Sequence, residues 1–265
     1  MAHSSLRGKI DAPVYADGIW HRITQPVTDL LARPGGPRDR QALYGERALI
    51  LDRRDGMAFG QLDRDGYCGW IAETALGADV AATHWVAAPA THAYPGPDIK
   101  LIERLPLSFG SRVRVAAEHP TFLETEDGLF IPRRHLREVG EILSDPVAVA
   151  EMFLGTPYLW GGNSRSGIDC SGLVQAAHLA CGIPCPGDSD LQESALGRKL
   201  DLATPPRRGD ILFWKGHVAL VADEARIIHA NGHAMATCHE GLAEALARIT
   251  AAEGTVLRTI RRLAD

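Results

Sequence analysis

At Asp145 the sequence changes character, and this change constrains the fold more than any other feature. Before it, short alternating runs are cut by Gly, Pro and Asp. After it come apolar residues at helical spacing, followed by a group of apolar strands. Residues 48–52 (ALILD), 57–62 (MAFGQL), 67–72 (YCGWIA), 112–117 (RVRVAA) and 128–132 (GLFIP) read as short strands. Turn-forming stretches such as 33–37 (RPGGP), 95–97 (PGP) and the Asp-Gly pairs at 55, 65 and 127 punctuate them. Strands of this length and spacing build small barrels or sandwiches.

The early part also repeats itself. Residues 45–51 (GERALIL) lead through a hairpin to 65–71 (DGYCGWI), and 110–116 (GSRVRVA) lead to 127–131 (DGLFI). Two copies of one small barrel are expected, over 1–82 and 83–140, the second being the weaker match.

A third domain is expected over 141–265. Residues 146–153 (PVAVAEMF) read as a helix, with Asp145 as its N-cap and Pro146 at its first position. Residues 169–181 (DCSGLVQAAHLAC) read as a second helix. Leu173, Val174, Ala177, Ala180 and Cys181 fall on one face, and Gly182 supplies a stop. Strands are expected at 210–214, 217–222 and 226–230, then a short helix at 241–249. Helices before strands is the α+β order.

Composition narrows the function classes. The 265 residues are 45% hydrophobic and 23% charged, as in an ordinary globular protein. With 28 basic and 33 acidic residues the formal net charge is −5, which argues against a nucleic-acid partner. No stretch reaches the ~20 apolar residues of a membrane span. The N-terminal MAHSSLRGKI lacks the apolar run of a signal peptide, so a cytoplasmic location is expected. Five cysteines, an odd number at irregular spacing, suggest thiols rather than a disulfide framework.

Cys170 is the strongest chemical feature. It follows Asp169 at the expected start of a helix, where backbone N–H groups and the positive helix end favour a thiolate. The same N–H groups suit a tetrahedral oxyanion. The plain alternative is a small buried hydrophobe. A thiolate nucleophile needs a base, and His217 and His229 lie on adjacent expected strands. A turn centred near 223 or 224 makes them cross-strand neighbours. In that arrangement His217 faces the thiol and His229 orients the His217 ring; two unrelated strand histidines are the alternative.

The residues 158–162 (YLWGG), 167–174 (GIDCSGLV), 209–213 (GDILF), 217–221 (HVALV) and 228–231 (IHAN) occur in one order. Segment 145–235 thereby resembles the NlpC/p60 papain-like cysteine peptidases of bacterial cell-wall metabolism. The resemblance implies Cys170 as nucleophile, His217 as general base and His229 as the third member of the triad. It implies substrate contacts for Tyr158, Asp169, Ser171 and Ser189. Each has a structural alternative: Tyr158 as core, and Asp169, Ser171 and Ser189 as helix caps.

Residues 65–71 (DGYCGWI) are similar to the last-strand motif of bacterial SH3-like domains. Two such barrels before this peptidase resemble the γ-D-glutamyl-L-diamino acid endopeptidases. That likeness implies a small murein peptide with a free N-terminal L-alanine as substrate, and no cofactor. It implies that Tyr67 of the first barrel meets the peptide terminus. Glu46 is a second acidic candidate, with a solvated strand end as its alternative. Cys181, Cys185, Cys238, His229, His233 and His239 offer metal ligands, but close C-x-x-C pairs are absent. Other amidases, acyltransferases and a peptide-binding protein without activity are the rival readings. The sequence does not fix the oligomeric state or the third residue of the peptide.

Overall fold

The computed structural model describes residues 1–254 and 256–263. The chain divides into two compact units, Met1–Glu141 and Ile142–Asp265.

After a short parallel pair of Ala2–His3 with Tyr15–Ala16, the first unit has seven strands in one sheet: β1 (Ile19–Ile23), β2 (Val27–Leu31), β3 (Arg38–Leu43), β4 (Arg47–Arg54), β5 (Met57–Leu62), β6 (Cys68–Ala72) and β7 (Leu76–Ala78). They form one sheet in the order β3-β2-β6-β5-β4-β1-β7. Bulges between Leu30 and Leu31 and between Ile50 and Asp52 bend it around a core. Ile23, Leu30, Ala48, Ala58 and Ile71 fill that core. Full burial of each large apolar side chain contributes roughly 1.5–3 kcal/mol.

Strands β8 (His84–Val86), β9 (Ala90–Ala93), β10 (Leu105–Ser108), β11 (Arg112–Val113), β12 (Val115–Glu118), β13 (Phe122–Thr125), β14 (Phe130–Pro132) and β15 (Leu136–Glu138) follow. They surround a second core that includes Val86, Leu107, Val113, Leu123 and Ile131. The expected barrels do not close. In the first lobe the edge strands β3 and β7 do not pair with each other among the described residues. In the second, strands of two to four residues make three separate small sheets, too short for a continuous ladder. The strand expected over 112–117 is broken in two at Arg114.

The two lobes of this unit meet through the backbone at Gly45. Its φ is +75°, and the Arg112 amide donates to Tyr44 O at 2.8 Å. Nearby, the Tyr44 hydroxyl donates to Asp127 at 2.7 Å, and Arg22 donates to Glu126 and Asp127 at 3.0 and 2.8 Å. Burial, followed by this hydrogen bond to Asp127, pushes the Tyr44 hydroxyl well above its ordinary pKa.

The second unit contains α1 (Pro146–Glu151), α2 (Cys170–Ala180), α3 (Ser189–Ala195) and α4 (Leu242–Glu253). Besides a short hairpin of Asn163–Ser164 with Gly167–Ile168, its strands are β16 (Arg198–Leu200), β17 (Ile211–Trp214), β18 (His217–Val221), β19 (Arg226–Asn231), β20 (Ala236–Gly241) and β21 (Thr259–Arg262). They form one sheet in the order β16-β21-β17-β18-β19-β20. The sheet is twice as wide as the three strands read from the sequence, because β16, β20 and β21 join its ends and interior. The Asp145 carboxylate accepts from the Val147 amide at 2.8 Å and so starts α1. Helices α1 and α2 pack on each other, and α2 packs on β18 and β19. Leu212, Trp214, Ala219, Val221, Ile227, Ala245 and Ile249 form the core shared with α4. Among the described residues no helix is long and apolar enough to cross a membrane.

Candidate active site

Cys170 is the first residue of α2 and is buried. The chain before it is held by Asp169, whose Oδ1 accepts from the Gly172 amide at 2.6 Å and from Ser171 Oγ at 3.2 Å. Its Oδ2 accepts from the Gly161 amide at 2.9 Å. Asp169 is thus an N-cap that also ties down the 158–162 loop, and Ser171 bonds to the same carboxylate. Gly172 is required by packing: a Cβ there would lie 2.5 Å from Gly162 O. The first turn of α2 is fixed from the other side by buried Gln192 of α3. Its Nε2 donates to Ser171 O and Pro186 O, both at 2.9 Å. These contacts leave the start of α2, and with it Cys170, little freedom.

His217 opens β18 and His229 lies in β19. The register Leu220↔Ile228 and Val221↔Ile227 makes them diagonal neighbours on one face of the sheet. Their rings meet, His217 Nε2 lying 2.9 Å from His229 Nδ1. The Trp214 ring packs 5.7 Å from the His217 ring, centroid to centroid. Burial, then the neighbouring His229, pushes His217 down to about 3. Burial pushes His229 down to about 4, against the opposing pull of Glu240. Both rings are therefore neutral near pH 7.

Tyr158 is half-buried; its amide donates to Met235 O at 2.9 Å and it bridges to Ile168 just before the helix. Ser189 is the first residue of α3, and Asp188 occupies the cap position without a side-chain cap bond.

Tyr67 and Glu46 lie in the first unit. Tyr67 packs against the first core, with the Arg40 guanidinium 5.9 Å from its ring centre. Glu46 is not a solvated strand end: it is 4% exposed. Its Oε1 takes Arg64 Nη1 at 2.6 Å, and its Oε2 takes the Leu43 amide at 3.0 Å. With Arg47, Asp63, Arg64 and Arg112 it lines a cavity of about 320 Å³.

The sequence reading missed Glu240, Arg248 and Asn231, which surround His229. Glu240 Oε2 lies 2.9 Å from His229 Nε2. Arg248 of α4 grips the Glu240 carboxylate through Nε and Nη2, both at 2.8 Å. Asn231 Nδ2 lies 2.9 Å from the same His229 nitrogen. A lone acidic residue at a strand end carries no signal by spacing; only the pairing of β19 with β20 brings it to His229. Among the described residues no three His, Cys, Asp or Glu side chains cluster as metal ligands.

Residues 155–245 match the NlpC/P60 family, and residues 30–76 match the bacterial dipeptidyl-peptidase SH3 domain. The chain carries an NlpC/P60 domain preceded by a bacterial SH3-like domain. It is 28% identical over 226 residues to the γ-D-glutamyl-L-lysine dipeptidyl-peptidase of Bacillus cereus, covering 72% of this chain and 67% of that one. It is 35% identical over 97 residues to dipeptidyl-peptidase 6 of Lysinibacillus sphaericus, covering 37% of this chain and 35% of that one. A crystal structure of an NlpC/P60 family protein from Bacillus cereus shares the fold, with a TM-score of 0.78 at 20% identity. That match covers 93% of this chain and 100% of the other. The NlpC/P60 domain is papain-like and α+β, and Cys170, His217 and His229 all fall within the matched segment.

Proposed function

We propose that this protein is a cysteine peptidase that hydrolyses the amide between γ-D-glutamate and an L-diamino acid. The substrates are peptidoglycan-derived peptides that begin with a free L-alanine. The observation that carries this reading is the arrangement within one NlpC/P60 domain. A cysteine opens a helix, and that helix packs on the two strands bearing a coupled, neutral histidine pair. The names of the relatives support the bond class: one is a γ-D-glutamyl-L-lysine dipeptidyl-peptidase and another a dipeptidyl-peptidase.

In this mechanism His217 Nδ1 takes the thiol proton as Cys170 Sγ attacks the carbonyl carbon. Amides at the start of α2 stabilise the oxyanion, with Tyr158 beside them. His217 passes its proton to the diamino acid nitrogen as the C–N bond breaks, leaving a thioester. It then takes a proton from water as the water oxygen attacks the thioester carbon, the C–S bond breaks to release L-Ala-γ-D-Glu, and the proton returns from His217 to Cys170 Sγ. His229 holds the His217 ring throughout. Asp169, Ser171 and Ser189 are the proposed contacts for the charged peptide ends. A carboxylate that meets a cationic terminus discriminates strongly, because an acetylated analogue leaves it unpaired.

The test is a mass-spectrometric digest of L-Ala-γ-D-Glu-meso-diaminopimelate and of its L-lysine counterpart. The N-acetylated tripeptide and a Cys170→Ala variant run alongside. Release of L-Ala-γ-D-Glu from the free peptides only, abolished in the variant, is the expected result. Cleavage of the acetylated peptide at equal rate would remove the free terminus from the proposal. Failure to cleave any of them would turn the reading toward another amide substrate.

A further inference from the structure

His229 has two ring nitrogens, and each has a distinct neighbour. Nδ1 faces His217 Nε2, and Nε2 faces both Glu240 Oε2 and Asn231 Nδ2 at 2.9 Å. These two neighbours of Nε2 make opposite demands. A carboxylate only accepts, so it requires a proton on Nε2; an amide NH₂ only donates, so it requires a bare Nε2.

The remaining bonds decide between them. Asn231 Oδ1 is occupied by the Ala234 amide at 2.7 Å, which fixes the amide orientation. Its NH₂ has a second acceptor, Cys238 Sγ at 3.3 Å. Glu240 is clamped by two parallel bonds from Arg248 and cannot turn away. Those bonds hold its carboxyl below the usual carboxylate range, so it is ionised. A bare His229 Nε2 would place a lone pair against an ionised oxygen. The carboxylate therefore takes the Nε2 proton, and Asn231 donates to sulfur.

The consequence runs down the chain of rings. With its proton on Nε2, neutral His229 presents a bare Nδ1. His217 must then donate through Nε2–H, and its own Nδ1 is left bare. That is the nitrogen which, in the reading above, takes the Cys170 proton. Had Asn231 won at His229, both rings would reverse and His217 Nδ1 would already carry a proton.

We infer that Glu240, clamped by Arg248, is a positioning residue that selects the base-competent tautomer of His217 through His229. This rests on the assignment of Cys170 and His217 as nucleophile and base. Glu240 touches neither substrate nor thiol, and acts only through His229.

Glu240→Gln keeps the shape and reverses the demand. The Gln oxygen stays with Arg248, so its NH₂ faces His229 Nε2. The full chain is labelled with ¹⁵N, and the two histidines are read by ¹⁵N–¹H correlation at pH 7. The wild type should carry Nε2–H on both rings, and Glu240→Gln should carry Nδ1–H on both. On the tripeptide, kcat should fall about 10²- to 10⁴-fold in Glu240→Gln with KM within about threefold, as for an amide that misorients a triad histidine. Glu240→Asp should recover at least about tenfold of that loss, because it restores the acceptor.

The inference is overturned by Nδ1–H on His229 in the wild type, or by unchanged tautomers in Glu240→Gln. A kcat within about threefold of wild type, or a change confined to KM, would overturn it as well. The spectra need no substrate, so they judge Glu240 even if the wild type cleaves no tripeptide. That second result would count against the proposed substrate instead.

Discussion

His217 Nε2 and His229 Nδ1 lie 2.9 Å apart, on adjacent strands of one sheet. The contact fixes the His217 ring through Nε2 and leaves Nδ1 for the base role proposed above. Removing it should free the ring and lose tautomer control. His229→Ala is expected to lower kcat by roughly 10²- to 10⁴-fold, the usual weight of positioned acid–base catalysis. His229→Gln should lose less, since its carbonyl oxygen still accepts from His217 Nε2–H. Steady-state kinetics on the tripeptide compares the two. Equal losses would show that the contact serves packing rather than ring orientation.

Buried neutral histidines make the second unit sensitive to acid. His178 is fully buried in α2, donates from Nδ1 to Val174 O at 2.7 Å, and is pushed down to about 4 by burial. The unfolded chain protonates this ring near its ordinary pKa of about 6.5, whereas the folded chain does not. Stability from this group is therefore complete above about pH 6.5 and is lost as pH falls toward 4. Between pH 7 and pH 5 the loss is about 2 kcal/mol. His178→Leu should flatten urea-unfolding stability across that range by a similar amount. A variant as acid-sensitive as the wild type would place the sensitivity at His217 and His229 instead.

The buried Arg64–Glu46 pair is the electrostatic risk of the first unit. Arg64 also reaches Asp65 at 3.4 Å and Gln41 O at 3.3 Å. Removing one partner strands a desolvated charge, so Arg64→Met should cost about 3–5 kcal/mol. Adding Glu46→Gln removes one orphaned charge and keeps an acceptor for the Leu43 amide. The double variant should therefore be more stable than Arg64→Met alone. Urea titration of both variants checks this, and a double variant less stable still would show that the pair is not coupled.

What was legible in the sequence was mostly local. Asp145 before Pro146, Asp169 before Cys170 and Gly182 after Cys181 mark helix ends by the chemistry of single residues, and those ends lie where expected. The histidine contact was legible because one short turn sets the register of its two strands. Contacts between distant segments were not. β16 pairs with β21 across some sixty residues, through the short polar runs RKL and TIRR. β3 (RDRQAL) is not picked out as a strand, because most of its residues are polar, yet Arg40 is 1% exposed. Glu240 and Arg248 share the same obscurity: each is an ordinary surface residue until β19 pairs with β20 and α4 folds back. Barrel closure was over-read, because a strand pattern gives alternation but not the tilt and stagger that closure needs.

Gly45 holds the two lobes of the first unit at backbone distance. A Cβ there would lie 1.8 Å from Arg112 O and 2.6 Å from Arg112 C, and neither is a side chain that can swing aside. Its φ of +75° adds a left-handed strain for any other residue. The strain alone costs about 1–2 kcal/mol. Relieving the overlap must also stretch the Arg112 amide bond to Tyr44 O and disturb the Tyr44–Asp127–Arg22 network beside it. Gly45→Ala should therefore destabilise by more than about 3 kcal/mol. Gly56→Ala is the control: its φ is +74°, but nothing lies within 4 Å of the added carbon. It should show the conformational penalty alone. Thermal unfolding of both variants separates the terms, and equal shifts would mean that the lobes yield at Gly45 without cost.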